Sequence, residues 1–293
     1  MQLTEPDRTR QISVTGATGF LGHAVLRLLR ARQLPLRALV RRSGELSLEP
    51  DEEVVGDLAD PPSLDRLCQG SNSVIHLAAA LGAASPARMH AVNVEGTRTL
   101  LSAACRAGVE RFVLISSVAA GRPHHGPYSR TKRQAERLVI DSPLCSAVLR
   151  FPVLSGPQSQ LESGVLGVAR RSPLVPVLGG APLRPLPVDD AAAACLAAAQ
   201  RSQAAGIYTL AGPQALSFAQ LARCVLQEHG LSRAVVSLPP TMIYPVVALL
   251  ERIWGAPPIT VEAARAAAAG TPPSSPRAEQ DLGVPFRPGV SAV

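Results

Sequence analysis

The stretch Val14-Thr15-Gly16-Ala17-Thr18-Gly19-Phe20-Leu21-Gly22 decides the fold. A short apolar run, Ile12 to Thr15, leads into it. Beyond it Phe20, Leu21, Ala24, Val25, Leu28 and Leu29 recur at helical spacing, so the order is strand, turn, helix. Gly16 can turn sharply with positive φ, and Gly19 lacks the Cβ that would hold a pyrophosphate off the backbone. Gly22 lets the helix pack closely. Thr18, Phe20 and Leu21 complete a turn whose helix start directs unpaired N–H groups and a positive dipole end at phosphates.

Outward from this turn, apolar strand-like runs alternate with helical patterns as far as Phe151. The runs are Leu36 to Val40, Glu53 to Val55, Ser73 to Leu77, Arg111 to Ser116 and Ala147 to Phe151. Such alternation predicts an α/β fold of the Rossmann type, a doubly wound parallel sheet with helices on both faces. Asp60-Pro61 and Ser85-Pro86 each place a capping side chain before a proline at the first helical position. After Phe151 the rhythm is lost: residues 172–187 are crowded with proline and glycine, and helices, loops and one or two short strands are expected to follow. Residues 1–155 are therefore read as the dinucleotide-binding domain, and 156–293 as a smaller, interleaved substrate-binding part. Within the latter, Ser217 and Gln220 form a capping box, Gly230 ends that helix, and Ile207 to Leu210 reads as a strand. The proline-rich C-terminus is expected to wrap the surface.

Composition narrows the partners. The chain has 293 residues, 46% of them apolar, enough for a large buried core. Its formal charge of +7 raises the question of nucleic acid, but the 29 basic residues are scattered and aromatics make up only 3%, so a basic surface attracting small anionic ligands is expected instead. Cys68, Cys105, Cys145, Cys195 and Cys224 stand far apart without a Cys-x-x-Cys pair, which suggests neither a metal site nor a disulfide framework and fits a reducing cytoplasm. No apolar run reaches the roughly 18 residues of a membrane span. The stretch Ile243 to Leu250, with Trp254 beyond it, reads as a substrate-pocket helix, with a peripheral membrane contact as the alternative.

The residues after the second strand select the nucleotide. An acidic residue there would bind the adenosine ribose, whereas Arg41 and Arg42 suit a 2′-phosphate, so NADP(H) is preferred and NAD(H) is the alternative. Asp57 and Leu58, directly after the third strand, are placed to meet the adenine ring.

The chemistry is read from Tyr128-Ser129-Arg130-Thr131-Lys132. Lys132 is the only lysine in the sequence and falls four residues after one of three tyrosines. On a helix that spacing stacks both side chains on one face. A compact ammonium can bond the nicotinamide ribose hydroxyls while its charge lowers the neighbouring phenol's pKa, which a planar guanidinium cannot do as well. Tyr128 then serves as acid or base. Ser117, at the end of the fifth strand, is expected to hold the reacting oxygen, with Ser116 as the fallback. His124 and His125, Asp189 and Asp190, and Arg184 are weaker candidates for substrate contact: the histidines read equally as solvated loop residues, and the aspartates as caps of the Ala-rich helix.

Taken together, these residues resemble the extended short-chain dehydrogenases/reductases, the NAD-dependent epimerase/dehydratase family. The matching motifs include Gly56-Asp57-Leu58, His76-Leu77-Ala78-Ala79, Asn93-Val94-Glu95-Gly96-Thr97, Ser116-Ser117, Arg150-Phe151-Pro152 and Val188-Asp189-Asp190. The resemblance implies that Ala78 and Ala79 line the cofactor channel, that Asn93 supports the active-site region, and that Pro152 and Val153 approach the nicotinamide. Many relatives in that family pair through two helices into a four-helix contact, which leaves a homodimer open without the sequence naming the oligomeric state. The expected activity is an oxidoreductase moving hydride between nicotinamide and a carbonyl or secondary alcohol in a small-molecule substrate. A nucleotide-sugar epimerase/dehydratase with retained cofactor is the nearest alternative, and a non-catalytic NADPH-binding sensor or scaffold the alternative of another class. The loop from Ser117 to Tyr128 is shorter than in many sugar-nucleotide epimerases and lacks their tyrosine-glycine pair. The apolar residues Met242 to Trp254 and Pro257-Pro258-Ile259-Thr260 look more like the reductase branch.

Overall fold

The computed structural model describes residues 10–82, 84–122, 126–254 and 260–289, together with the backbone but not the side chains of Leu250 and Trp254. His124, His125 and Pro257 to Ile259 lie outside the described residues. In chain order the first half comprises β1 (Ile12–Thr15), α1 (Phe20–Ala31), β2 (Leu36–Val40), β3 (Glu52–Val55), α2 (Pro61–Cys68), β4 (Ser73–His76) and α3 (Pro86–His90). A π-helical turn (Ala91–Glu95) leads into α4 (Gly96–Arg106), β5 (Arg111–Ser117), a 3₁₀ turn (Val118–Gly121), α5 (Pro127–Ile140) and β6 (Cys145–Phe151). Next come β7 (Leu154–Ser155), α6 (Gln160–Ala169), β8 (Leu174–Leu178), β9 (Leu186–Pro187), α7 (Val188–Gln200) and β10 (Gly206–Thr209). The chain continues with α8 (Phe218–Glu228), β11 (Ala234–Leu238), α9 (Pro240–Trp254), α10 (Val261–Ala268) and α11 (Ala278–Leu282).

The main sheet has seven strands in the order β10-β6-β5-β4-β1-β2-β3, and every pairing is parallel. Both faces are covered, which is why the strands read as unbroken apolar runs. One face packs against α1 and α7 through Val25, Leu29, Ala191, Ala194 and Ala198. The other packs against α2, α4 and α5 through Leu64, Leu67, Leu100, Ala135 and Val139. Strand order reverses between β1 and β4, and a crevice opens at such a switch point, above the carboxyl ends of the strands.

After β6 the chain builds a separate small core of α6, α8 and β8 around Val165, Val175, Leu221 and Val225. More strands occur here than the sequence predicts. β7 pairs with β9 and β8 with β11, while β10 returns to the edge of the main sheet. The capping box forms as predicted, with the Ser217 hydroxyl accepting from Gln220 N and the Gln220 side chain from Ser217 N. Ser85 caps α3 by accepting from Arg88 N at 3.2 Å.

Other expectations need correction. Asp60 makes no side-chain cap to α2; its carbonyl instead accepts from the Ser63 hydroxyl at 2.8 Å. Asp189 and Asp190 lie in the first turn of α7 and are not its cap. Their carboxylates are taken by arginines: Asp189 meets Arg27 at 2.6 Å, and buried Asp190 accepts from Arg287 N, Nε and Nη2. The C-terminus does more than wrap the surface, because Ala278, Leu282 and Phe286 are buried in the core beside α7. The apolar stretch near residue 243 is helical but presents Met242, Val246, Leu249 and Ile253 to solvent, with Val247 buried beneath.

Candidate active site at the carboxyl edge of the sheet

Because all seven strands are parallel, their carboxyl ends share one edge, and the predicted site residues gather there. Gly16 follows β1, Arg41 and Arg42 follow β2, Asp57 follows β3, Ala78 and Ala79 follow β4, Ser117 ends β5, and Pro152 and Val153 follow β6.

The opening turn needs glycine for two separate reasons. Gly16 has φ +74°, and a Cβ on it would sit 2.5 Å from Ala78 N, so the loop after β4 passes directly against it. A Cβ on Gly22 would lie 2.3 Å from the Gly16 carbonyl oxygen. Helix α1 therefore packs onto the turn itself. Gly19 opens α1 with extended backbone and no capping side chain, and exposed Thr18 and Gly19 leave the first turn of the helix clear. This open helix start fits a pyrophosphate.

Behind the turn runs a buried hydrogen-bond chain. The Thr97 hydroxyl donates to the Asn93 carbonyl at 2.7 Å, so it accepts from His76 Nε2 at 3.0 Å. His76 Nδ1 then accepts from the Thr15 hydroxyl at 2.7 Å. One proton position fixes the next, and the imidazole is neutral. Burial, helped by the charge of Lys132, holds its pKa at about 3. The chain ties the glycine turn to the 91–97 segment. Asn93 extends the tie by exchanging hydrogen bonds with Ala80 N and O and donating to the Thr131 hydroxyl of α5 at 3.1 Å. The resemblance implies support by Asn93; His76 is the residue that sequence reasoning missed, although it stands in a motif already singled out.

On α5, Lys132 is buried and donates from Nζ to the Ile115 carbonyl at 2.5 Å. Tyr128 lies one turn earlier and is half-buried, with the Ser117 hydroxyl near enough to act on its phenol. Removal from solvent pushes the phenol up to about 12; the nearby Ser117 hydroxyl opposes this and the Glu262 carboxylate adds to it. The protein alone therefore does not lower this phenol. Burial draws the Lys132 ammonium down to about 8, against the pull of Glu136. Ser116 is not available as the fallback: its hydroxyl donates to Glu136 Oε1 at 2.5 Å.

The remaining positions are less engaged. Arg41 and Arg42 are exposed, Arg42 standing 3.9 Å from Glu45. The Asp57 carboxylate accepts from Ala59 N at 3.0 Å, and Leu58 is buried under Gly96. Arg184 donates to the Pro213 carbonyl at 2.7 Å. A cavity of about 540 Å³ borders the site through Val118 and is lined by Arg122, Arg150, Arg184, Thr209 and Thr271; Tyr128 and Lys132 are not in its wall. No group of three metal-ligating side chains occurs among the described residues, and none of their helices is long and apolar enough to cross a membrane.

A nucleotide crevice beside a tyrosine–lysine helix defines a class of dinucleotide-dependent enzyme. Residues 12–211 match the model of the NAD dependent epimerase/dehydratase family, and the chain belongs to that family. It is similar to a ceramide reductase of Caulobacter vibrioides, with 33% identity over 82% of this chain and 77% of the relative. It is also similar to a 2-alkyl-3-oxoalkanoate reductase of Stenotrophomonas maltophilia, with 31% identity over 85% and 87% of the two chains. Among solved structures it resembles gox2253, with a TM-score of 0.77, 30% identity and coverage of 96% and 94%. The protein is thus an enzyme of the extended short-chain dehydrogenase/reductase type that uses a nicotinamide cofactor.

Proposed function

We propose that this enzyme is an NADP(H)-dependent reductase of carbonyl groups on substrates with apolar chains, with Tyr128 as the proton donor. The observation that carries this reading is Ser117 at the carboxyl end of β5 together with Tyr128 and buried Lys132 one turn apart on α5, the helix packed beside that strand. When bound, the cofactor supplies hydride to the substrate carbon. The protein's own residues do the rest. Ser117 holds the carbonyl oxygen against the phenol, and Tyr128 Oη gives that oxygen its proton. Lys132 bonds the ribose hydroxyls.

The opening turn, with residues 16–22, holds the pyrophosphate, and Arg41 and Arg42 hold the 2′-phosphate. Asp57 and Leu58 flank the adenine, Ala78 and Ala79 line the channel, and Pro152 and Val153 meet the nicotinamide. The preference for apolar substrates is supported by the named activities of the two reductase relatives and by the exposed apolar face of α9. Residues 156–293 supply the substrate side.

The test is Tyr128→Phe, assayed by NADPH absorbance with 3-oxoalkanoate and 3-oxo-sphingolipid substrates. Turnover is expected to vanish while NADPH affinity, read by fluorescence, is retained. Undiminished turnover overturns the reading.

A further inference from the structure

Helix α5, which carries Tyr128 and Lys132, begins without a cap of its own. Its N-cap is Gly126, which has no side chain, and Pro127 at the first position has no N–H. The next two amides, of Tyr128 and Ser129, are therefore the orphan donors of this helix. Both are satisfied from the far end of the chain. Glu262 Oε2 accepts from Tyr128 N at 3.1 Å, and Glu262 Oε1 accepts from Ser129 N at 2.8 Å and from the Ser129 hydroxyl at 2.7 Å. The fit leaves no slack, since a Cβ on Gly126 would fall 2.2 Å from the Glu262 carboxylate.

The opposite end of α10 is held to the same neighbourhood. Arg122, from the segment between β5 and α5, donates to the Ala266 carbonyl at 2.6 Å and also to the Gly270 carbonyl. Arg133 of α5 in turn donates to the Ala120 and Arg122 carbonyls. Helix α10 is thus tied at both ends to the elements that carry Ser117 and Tyr128. Its Val261 N donates to Glu251 of α9 at 2.8 Å, which continues the tie into the substrate side.

We infer that Glu262 is a positioning residue for the acid/base tyrosine: its carboxylate caps α5 from another helix and fixes where Tyr128 stands. The inference rests on Tyr128 being the proton donor. A carboxylate at a helix N-terminus is favoured by the helix dipole as well as by its hydrogen bonds. Its loss would release the first turn of α5, where Tyr128 sits, while Lys132, one turn deeper and buried, stays in place. Two groups bear on the phenol: the Glu262 carboxylate from α10 and the Ser117 hydroxyl from β5, while Lys132 along its own helix is turned to the Ile115 carbonyl. Glu262 alone among them is negative, so removing it also favours the phenolate.

The experiment compares Glu262→Ala, Glu262→Gln and Tyr128→Phe, with folding checked by circular dichroism. Glu262→Ala is expected to lower kcat about tenfold or more, with the Kd for NADPH within about twofold of the parent. Glu262→Gln keeps one acceptor oxygen for the amides. It is expected to restore much of kcat and to move the kinetic pKa of the acid/base group downward. Parent-like kcat and pH profile in both folded variants, alongside an inactive Tyr128→Phe, would overturn the inference and leave the proposed function standing. Turnover by Tyr128→Phe would instead sink the proposed function. Should Glu262→Ala fail to fold, Glu262→Gln decides alone: a downward shift supports the inference, and an unmoved profile refutes it.

Discussion

Arg150 of β6 grips the carboxylate of Glu136 on α5 through two bonds, Nε to Oε1 at 2.8 Å and Nη2 to Oε2 at 2.6 Å. The carboxylate is 3% exposed, and it also accepts from the Ser116 hydroxyl. One carboxylate thereby joins two neighbouring strands of the sheet to the helix bearing Tyr128 and Lys132. It also favours the charged form of buried Lys132.

Arg150→Ala should leave Glu136 buried with only Lys132 to offset its charge. Stability is expected to fall by about 3 kcal/mol, at the lower end of what breaking a buried pair costs. Urea unfolding followed by circular dichroism checks it, and a loss within about 0.5 kcal/mol, the size of an ordinary surface change, would contradict it.

The His76 chain predicts a pH dependence of stability. In the unfolded chain a histidine titrates near 6.5, whereas folded His76 stays neutral down to about 3. Above pH 6.5 both states are neutral and nothing is lost. As the pH falls from 6.5 toward 3, the unfolded state takes up the proton and the folded state does not, so stability drops. Between pH 7.5 and pH 5 the loss should be about 2 kcal/mol, at about 1.4 kcal/mol per unit below 6.5. His76→Asn should flatten this segment of the curve while lowering stability at pH 7.5.

Among the described residues, exposed Arg41 and Arg42 make no contact that their replacement would break, apart from the long 3.9 Å approach of Arg42 to Glu45. Replacing both with alanine should therefore leave the melting temperature unchanged. The preference for NADPH over NADH, read as the ratio of kcat/KM, should fall about ten- to a hundredfold, the value of one charge-assisted contact to a 2′-phosphate. An unchanged ratio would return both arginines to plain surface residues.

The sheet was legible because each of its inner strands is a short apolar run between turn residues, and the glycine turn because Gly16 and Gly22 answer to local geometry. Capping was legible only where the partner lies three residues on, as with Ser85 and Ser217. Where the donors are missing the reading fails: Pro61 and Pro62 offer Asp60 no N–H to cap, and the Ser63 amide turns to the Asp60 carbonyl. The far partners carry no signal in the sequence. Nothing near Tyr128 announces Glu262, 134 residues later, and nothing near Asp190 announces Arg287, because these pairings are set by how the second half of the chain lies on the first. That the Ser116 hydroxyl is taken by Glu136, twenty residues on, was likewise invisible in the sequence.

The solitary lysine has a practical consequence. An endoprotease specific for lysine has one bond to cut in this sequence, between Lys132 and Arg133, and the fold withdraws that bond into α5 with the side chain 3% exposed. Cleavage therefore requires α5 to come undone, and the rate at which two fragments appear on a gel becomes a clock for that opening alone. Bound nucleotide should slow the clock, which makes ligand screening feasible without knowing the substrate.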